Sequence, residues 1–248
     1  MVHPDGIEVC NAALRILGGV LVIANGDGCT ARHVCEPTLD CMAKPVPTLE
    51  YEQELMSEGA RIIAGMDEVG RGAIAGPVTI GVVAIDATVV TVPEGLADSK
   101  LMTPKRREAM VPVAKEWGIA WATGSATAAE IDKYGIMSAL SLAGSRALMS
   151  LGVKPDIVIL DGNNSFLVEE DDGPRIVTRI KGDQTCASVS AASVIAKVER
   201  DALMTVLHEQ FPHYGWSGNK GYGAAVHTDA IKTFGVTDLH RKSWNLGV

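Results

Sequence analysis

At 248 residues with 47% hydrophobic content, the chain can bury a substantial core, which excludes collagen-like, coiled-coil and disordered classes. Its longest apolar stretch, residues 16–24, falls short of the roughly 20 residues that span a bilayer, and the residues before it are acidic, so a soluble cytoplasmic protein with no membrane role is expected. The net charge of -8 argues against general phosphate adhesion, but residues 49–174 hold 10 Lys+Arg against 19 Asp+Glu (-9) while 175–248 hold 9 against 6 (+3), which suits a polyanion-facing C-terminal surface beside an acidic, cation-binding centre.

Residues 1–48 have their own texture, with glycines, scattered cysteines and a closing Lys44-Pro45-Val46-Pro47 of linker character. They are read as an extension, disordered or dispensable, and the domain as 49–248. Of five cysteines, four (Cys10, Cys29, Cys35, Cys41) lie in this extension, leaving Cys186 alone in the domain, which points to a reducing compartment. Cys29, His33, Cys35 and Cys41 invite a zinc reading, but their spacing does not match a tight C-x-x-C knuckle.

Residues 49–59 form a short charged helix in this reading, and 61–66 and 77–85 two apolar strands separated by a glycine-rich turn. Thr103 before Pro104 is a helix start, and 118–124 fits a third strand. Thr127 and Glu130 have capping-box spacing for a helix to about Leu151. Residues 156–161 form a buried-type strand ending in Asp161, and 175–181 another, followed by Gly182-Asp183. Apolar residues recur every three or four positions from Val189 to Val206, predicting an amphipathic helix over 187–210, and a tail of loops and short helices follows. Such an order predicts an α/β fold in which an antiparallel meander joins parallel crossover units, with ligands gathering at strand ends.

Asp67-Glu68 interrupts an apolar strand pattern, and two adjacent strand residues face one site only where the strand ends, which Gly70 and Gly72 permit. An Asp-Glu dipeptide is ordinarily surface charge. Asp161 and Asp183, each beside a strand end, change that reading: carboxylates forced together repel unless cations intervene, and all-oxygen sites favour hard ions such as Mg²⁺ and Mn²⁺. Two such ions can activate water and stabilise a leaving oxygen in phosphodiester cleavage.

Gly65-Met66-Asp67-Glu68-Val69-Gly70-Arg71-Gly72 with Ala75-Gly76-Pro77 resembles the signature of ribonuclease HII, the type 2 ribonuclease H family. Asp98-Ser99-Lys100, Leu160-Asp161-Gly162, Lys181-Gly182-Asp183, the Ser190-to-Asp201 segment, Lys220-Gly221-Tyr222-Gly223 and His240-Arg241-Lys242-Ser243-Trp244 continue the match in family order over roughly residues 49–248. Val69 is a mild variant. The resemblance implies a ribonuclease H-like mixed five-stranded sheet flanked by helices, with a helical C-terminal region. It implies that Asp67, Glu68, Asp161 and Asp183 hold two Mn²⁺ or Mg²⁺ ions, that Gly70-Arg71-Gly72 follows the minor groove near the ribose 2'-hydroxyl, and that Tyr222 packs on the sugar at the RNA-to-DNA junction. Lys100, Ser193 and Lys197 are expected at phosphates, although Lys197 equally suits a solvated helix face and Ser190 or Ser193 a bond to the preceding turn.

The implied activity is hydrolysis of the RNA strand of RNA-DNA hybrids and incision 5' of ribonucleotides embedded in duplex DNA, leaving 3'-hydroxyl and 5'-phosphate ends. The partner is then nucleic acid, and nothing demands more than a monomer. Two alternatives stand beside it: a nuclease of the same broad fold that ignores the 2'-hydroxyl, and a non-catalytic hybrid-binding module. The four carboxylates speak against the second, since a binder gains nothing from negative charge beside phosphate. No histidine belongs to the expected catalytic set; His227 and His240 are read as packing or surface residues.

Overall fold

A computed structural model of the chain describes residues 15–17, 20–22, 45–169 and 171–247. The chain divides into two compact units, Met1–Lys44 and Pro45–Val248. In the first, strands β1 (Arg15–Leu17) and β2 (Val20–Val22) pair antiparallel. The expectations for Cys10, Cys29, His33, Cys35 and Cys41 lie outside the described residues.

The second unit holds a five-stranded mixed sheet whose strands lie in the spatial order Ala120–Ala126, Val78–Asp86, Ile62–Val69, Ile157–Asp161, Arg175–Arg179. Strands β3 (Ile62–Val69), β4 (Val78–Asp86) and β5 (Ala120–Ala126) form the antiparallel meander, and β6 (Ile157–Asp161) and β7 (Arg175–Arg179) join parallel to it. Helix α1 (Glu50–Ser57) precedes the sheet, and α2 (Pro104–Trp117) starts on a Thr103 cap with Pro104 in its first turn, as the sequence predicts. The central strands are nearly continuously apolar because both their faces are covered. Ile63, Val83 and Ile159 meet Val189, Ala192 and Ile195 of α6 (Ala187–Gln210) on one face; Ala64, Val82 and Leu160 meet Leu140, Ala143 and Ala147 of α4 (Ile136–Ser150) on the other. Each buried Ile, Val or Leu contributes about 1.5–3 kcal/mol. At Gly65 and Gly81 an added Cβ would collide with the backbone of Ser188 and of Ala192, so α6 lies directly on β3 and β4.

A third core, around Ile74, Met204, Tyr214, Trp216 and Ile231, joins α6 to the short helix α7 (Trp216–Asn219) and to α8 (Ala225–Phe234). No helix among the described residues is long and apolar enough to cross a membrane.

Three local expectations are corrected. The strand expected over 61–66 continues to Val69, because β4 keeps pairing with it through Glu68↔Ile80 and Val69↔Thr79. The single helix expected from Thr127 to Leu151 is two, α3 (Ala128–Tyr134) and α4, separated by Gly135 at φ +79°; the Thr127–Glu130 capping box is present. Asp183 does not sit at a strand end: β7 stops at Arg179, Lys181 turns left-handed at φ 58°, and Asp183 lies in the one-turn helix α5 (Gly182–Thr185).

Candidate active site

Side chains alternate along a strand, so Ile63, Gly65 and Asp67 face α6 while Ala64, Met66 and Glu68 face the α4 layer. Asp161, two residues beyond Ile159, shares the α6 face with Asp67. The parallel β3–β6 pairing ends at Met66↔Leu160, one residue short of Asp67, whereas β4 continues alongside. The sheet opens there. Asp67 and Glu68 therefore reach one cleft from opposite faces of an unbroken strand rather than from a strand terminus.

That cleft, about 410 Å³, is lined by Asp67, Glu68, Asp161, Gly70, Arg71, Gly72, Lys100, Ser193, Lys197 and Tyr222, with Val69 and Ser99. Of the residues expected to bind metal or substrate only Asp183 is missing from its wall. It is buried just behind, where its amide donates to Asp161 Oδ1 at 3.4 Å and its carbonyl accepts from the Ser190 hydroxyl. Lys100 spans the gap, its Nζ 2.8 Å from Asp183 Oδ2.

Burial raises the Asp67 carboxyl to about 8; a hydrogen bond from Ser193 and the charge of Lys100 pull it down, and the charges of Asp161 and Glu68 push it up. Glu68 is raised by burial against the pull of Arg71, whose Nη1 lies 3.3 Å from Glu68 Oε1. Asp161 is raised by burial and then by the Asp183 charge. Burial works against the Lys100 ammonium, yet the bond to Asp183 and the charges of Asp67, Asp183 and Asp98 hold its pKa above the usual lysine value. Burial and mutual repulsion thus make these carboxyls hold their protons more tightly than free ones, against the pull of Lys100 and Arg71.

The site's donors are carboxylate oxygens with no sulfur or imidazole among them, which fits hard divalent cations. Among the described residues no three of Asp, Glu, His or Cys stand ready as a metal-holding group, and Lys100 occupies Asp183.

Several contacts among these residues have no signature in the sequence. Asp98 accepts from the Lys100 amide at 2.9 Å and from Gln184 Nε2 at 3.3 Å, tying the lysine loop to α5. Ser99 and Ser193 share a hydrogen bond of 2.9 Å. Lys197 donates to Asp201 at 2.7 Å, one helical turn along.

Tyr222, 38% exposed, is held from behind. The Thr237 amide donates to His240 Nδ1 at 2.9 Å, so the neutral His240 carries its proton on Nε2 and donates it to His227 Nε2 at 3.2 Å. His227 Nε2 also accepts from Trp216 Nε1 at 3.0 Å, which leaves Nδ1–H to donate to the Tyr222 carbonyl at 2.9 Å. Both histidines are fully buried, and both are depressed by burial, His240 to about 4. They support the site without entering it.

The sequence pattern of the family described as ribonuclease HII matches residues 64–246. The ribonuclease HII of Streptomyces avermitilis is 47% identical over 199 residues, 80% of this chain and 83% of that protein. That of Orientia tsutsugamushi strain Boryong is 40% identical over 198 residues, 80% of this chain and 91% of the relative. In structure, ribonuclease H2 from Pyrococcus horikoshii OT3 superposes with a TM-score of 0.63 at 27% identity, covering 75% of this chain and 94% of that one. With both its sequence and its fold matched, the chain belongs to the ribonuclease HII family.

Proposed function

We propose that this endoribonuclease hydrolyses the RNA strand of RNA-DNA hybrids and incises 5' of single ribonucleotides in duplex DNA, leaving 3'-hydroxyl and 5'-phosphate ends. The observation that carries the reading is the single cleft in which Asp67, Glu68 and Asp161 share walls with Gly70-Arg71-Gly72 and Tyr222, joining a cation-binding surface to one able to feel a sugar. As a monomer in the cytoplasm, it would serve ribonucleotide removal and primer clearance.

Asp67, Glu68, Asp161 and Asp183 would hold two Mg²⁺ or Mn²⁺ ions. When bound, such ions supply water activation and stabilisation of the leaving 3'-oxygen. The residues of the chain do the rest. Asp67, buried and crowded by Asp161 and Glu68, gives up its proton readily once positive charge is near. For Asp183 to join the other carboxylates, the Lys100 ammonium must leave it, and the released lysine is then free to hold a phosphate oxygen of the substrate. Ser193, linked to Ser99 and Asp67, fixes the Asp67 rotamer from the α6 side. The glycine loop admits the minor-groove edge close to its backbone, where the 2'-hydroxyl marks a ribonucleotide, and Tyr222 offers a face for the sugar beside it.

Cleavage of matched duplexes with and without one embedded ribonucleotide tests the proposal. Wild-type protein with Mg²⁺ or Mn²⁺ should cut only the former, and Asp67→Asn should lose activity by at least about 10³-fold while keeping its fold, the scale expected when one essential group is removed. Cleavage of the all-deoxy duplex at the same rate, or a fully active Asp67→Asn, would refute it.

A further inference from the structure

Two arginines lie wholly inside the protein behind the cleft, Arg200 on α6 and Arg241 in the C-terminal segment, at 1% and 0% exposure. Burying a charge is costly unless it is paired. These guanidiniums donate to backbone carbonyls instead of carboxylates. Arg241 reaches Arg71 O through Nη1 at 2.7 Å, Gly70 O through Nη2 at 2.6 Å, and Gly76 O through Nη2 and Nε at 3.2 and 3.3 Å. Arg200 reaches Pro77 O at 2.8 Å, Lys220 O at 2.9 Å and Ala75 O at 3.2 Å, and its guanidinium carbon lies 5.7 Å from the centre of the Tyr222 ring. A hydrophobic residue would fill either position at less cost. Only a planar fork of five donors binds so many carbonyls at once.

The consequence follows from peptide geometry. In a trans peptide the carbonyl and the next N–H point in opposite directions. With the Gly70 and Arg71 carbonyls drawn inward onto Arg241, the amides of Arg71 and Gly72 are turned the other way, and both residues line the cleft. Among the described residues, nothing accepts a hydrogen bond from either amide. Gly70, at φ +83°, has no room for a Cβ because the Arg200 guanidinium fills that space, so the loop is held from both sides.

We infer that Arg241 is a positioning residue for ribose discrimination: it presets the Arg71 and Gly72 amides as donors before substrate arrives, while Arg200 packs against Gly70 and ties the following residues 75–77 to Lys220, next to Tyr222. This rests on the reading of the glycine loop as the 2'-hydroxyl sensor. Neither arginine touches substrate. Their role is to remove the cost of ordering the loop at the moment of binding.

Arg241→Lys in the full chain tests this, because it keeps the charge and loses the fork. Two quantities are measured with the metal-loaded enzyme: kcat/KM on a duplex with one ribonucleotide, and the inhibition constant of the same duplex in all-deoxy form as competitor. The expected result is a fall in kcat/KM of about 10- to 100-fold, the scale of one or two hydrogen bonds, with the competitor constant within about 2-fold of wild type. An unchanged kcat/KM, or a parallel loss in both, overturns the inference, the latter marking a general structural role. Should Arg241→Lys not fold, ¹⁵N order parameters of Arg71 and Gly72 in the substrate-free wild-type protein decide: values of about 0.8 or more, as in rigid backbone, are expected, and lower values overturn preorganisation. If instead the wild-type enzyme cuts the all-deoxy duplex as well as the ribonucleotide duplex, it is the reading of the loop as a ribose sensor that fails.

Discussion

The carboxylate of Glu52, on α1, accepts two hydrogen bonds from Ser188, at 2.9 Å from its amide and 2.7 Å from its hydroxyl, across 136 positions of sequence. Ser188 lies in the first turn of α6, whose own N-cap residue, Cys186, makes no side-chain cap. A residue from another helix thus satisfies an end that local sequence leaves open. Thr48 completes the join, its amide donating to Thr185 O at 3.0 Å and its carbonyl accepting from the Ala187 amide at 2.9 Å.

Glu52→Ala should destabilise the domain by about 1–3 kcal/mol through loss of this cap and exposure of an unpaired buried amide. Glu52→Gln, which retains an acceptor, should lose less than half of that. Burial raises the Glu52 carboxyl, so the folded state holds its proton more tightly than the unfolded one. Its ionisation therefore erodes stability as pH rises through the range above the ordinary glutamate value, and Glu52→Gln should flatten that slope. Urea unfolding at several pH values measures both effects, and an alanine variant as stable as wild type would contradict the capping role.

His240 titrates in the other sense. Its folded pKa, about 4, lies below the ordinary 6.5, because of burial and then the neighbouring His227. Between those values the unfolded chain binds more protons, so the His240 contribution is complete above about pH 6.5 and is lost as pH falls towards 4. His240→Asn can keep an acceptor for the Thr237 amide without titrating. Thermal midpoints at pH 7.5 and 5 should therefore differ less in the variant than in wild type. Equal differences in the two proteins would remove His240 as a source of the pH dependence.

Gly65→Ala places a methyl group against the Ser188 backbone, where β3 and α6 are already in direct contact. Overpacking of this kind costs about 1–3 kcal/mol and more where backbone must move. Because Asp67 and Ser193 are positioned by the same two elements, activity should fall further than the population of folded protein does. A variant with wild-type melting and wild-type turnover would show that the helix can shift freely.

Lys100→Ala removes the ammonium that pairs with Asp183. Two opposite effects should separate: the Mg²⁺ concentration for half-maximal activity falls, because a competing cation is gone, while kcat/KM at saturating metal drops by about 10- to 100-fold with the lost phosphate contact. A higher metal requirement with unchanged turnover would place Lys100 outside both roles. Activity titrations against metal at fixed substrate distinguish the outcomes.

Local chemistry was legible wherever the deciding interactions lie within a few residues. The 187–210 helix, the Thr103–Pro104 start and the strand ending at Asp161 have the predicted places, because periodicity, caps and β-branched runs act over one or two turns or pleats. Where a boundary depends on pairing, local pattern fell short. Continued β4 pairing carries β3 past its carboxylates, and Gly135 breaks the helix without a local signal because apolar residues continue on both sides of it.

The sequence by itself determined which carboxylates and which glycine loop this protein has, their order along the chain, and the strands and helices that bear them. Only the tertiary structure decided which faces they share. It set Asp67 and Glu68 on opposite sides of one strand, put Asp183 on Lys100, capped α6 from Glu52, and drove Arg200 and Arg241 into the interior onto backbone carbonyls. The reason is physical: secondary structure answers to neighbours a few residues away, whereas a buried charge takes whatever partner the packed chain brings within about 3 Å, and that choice has no local signature.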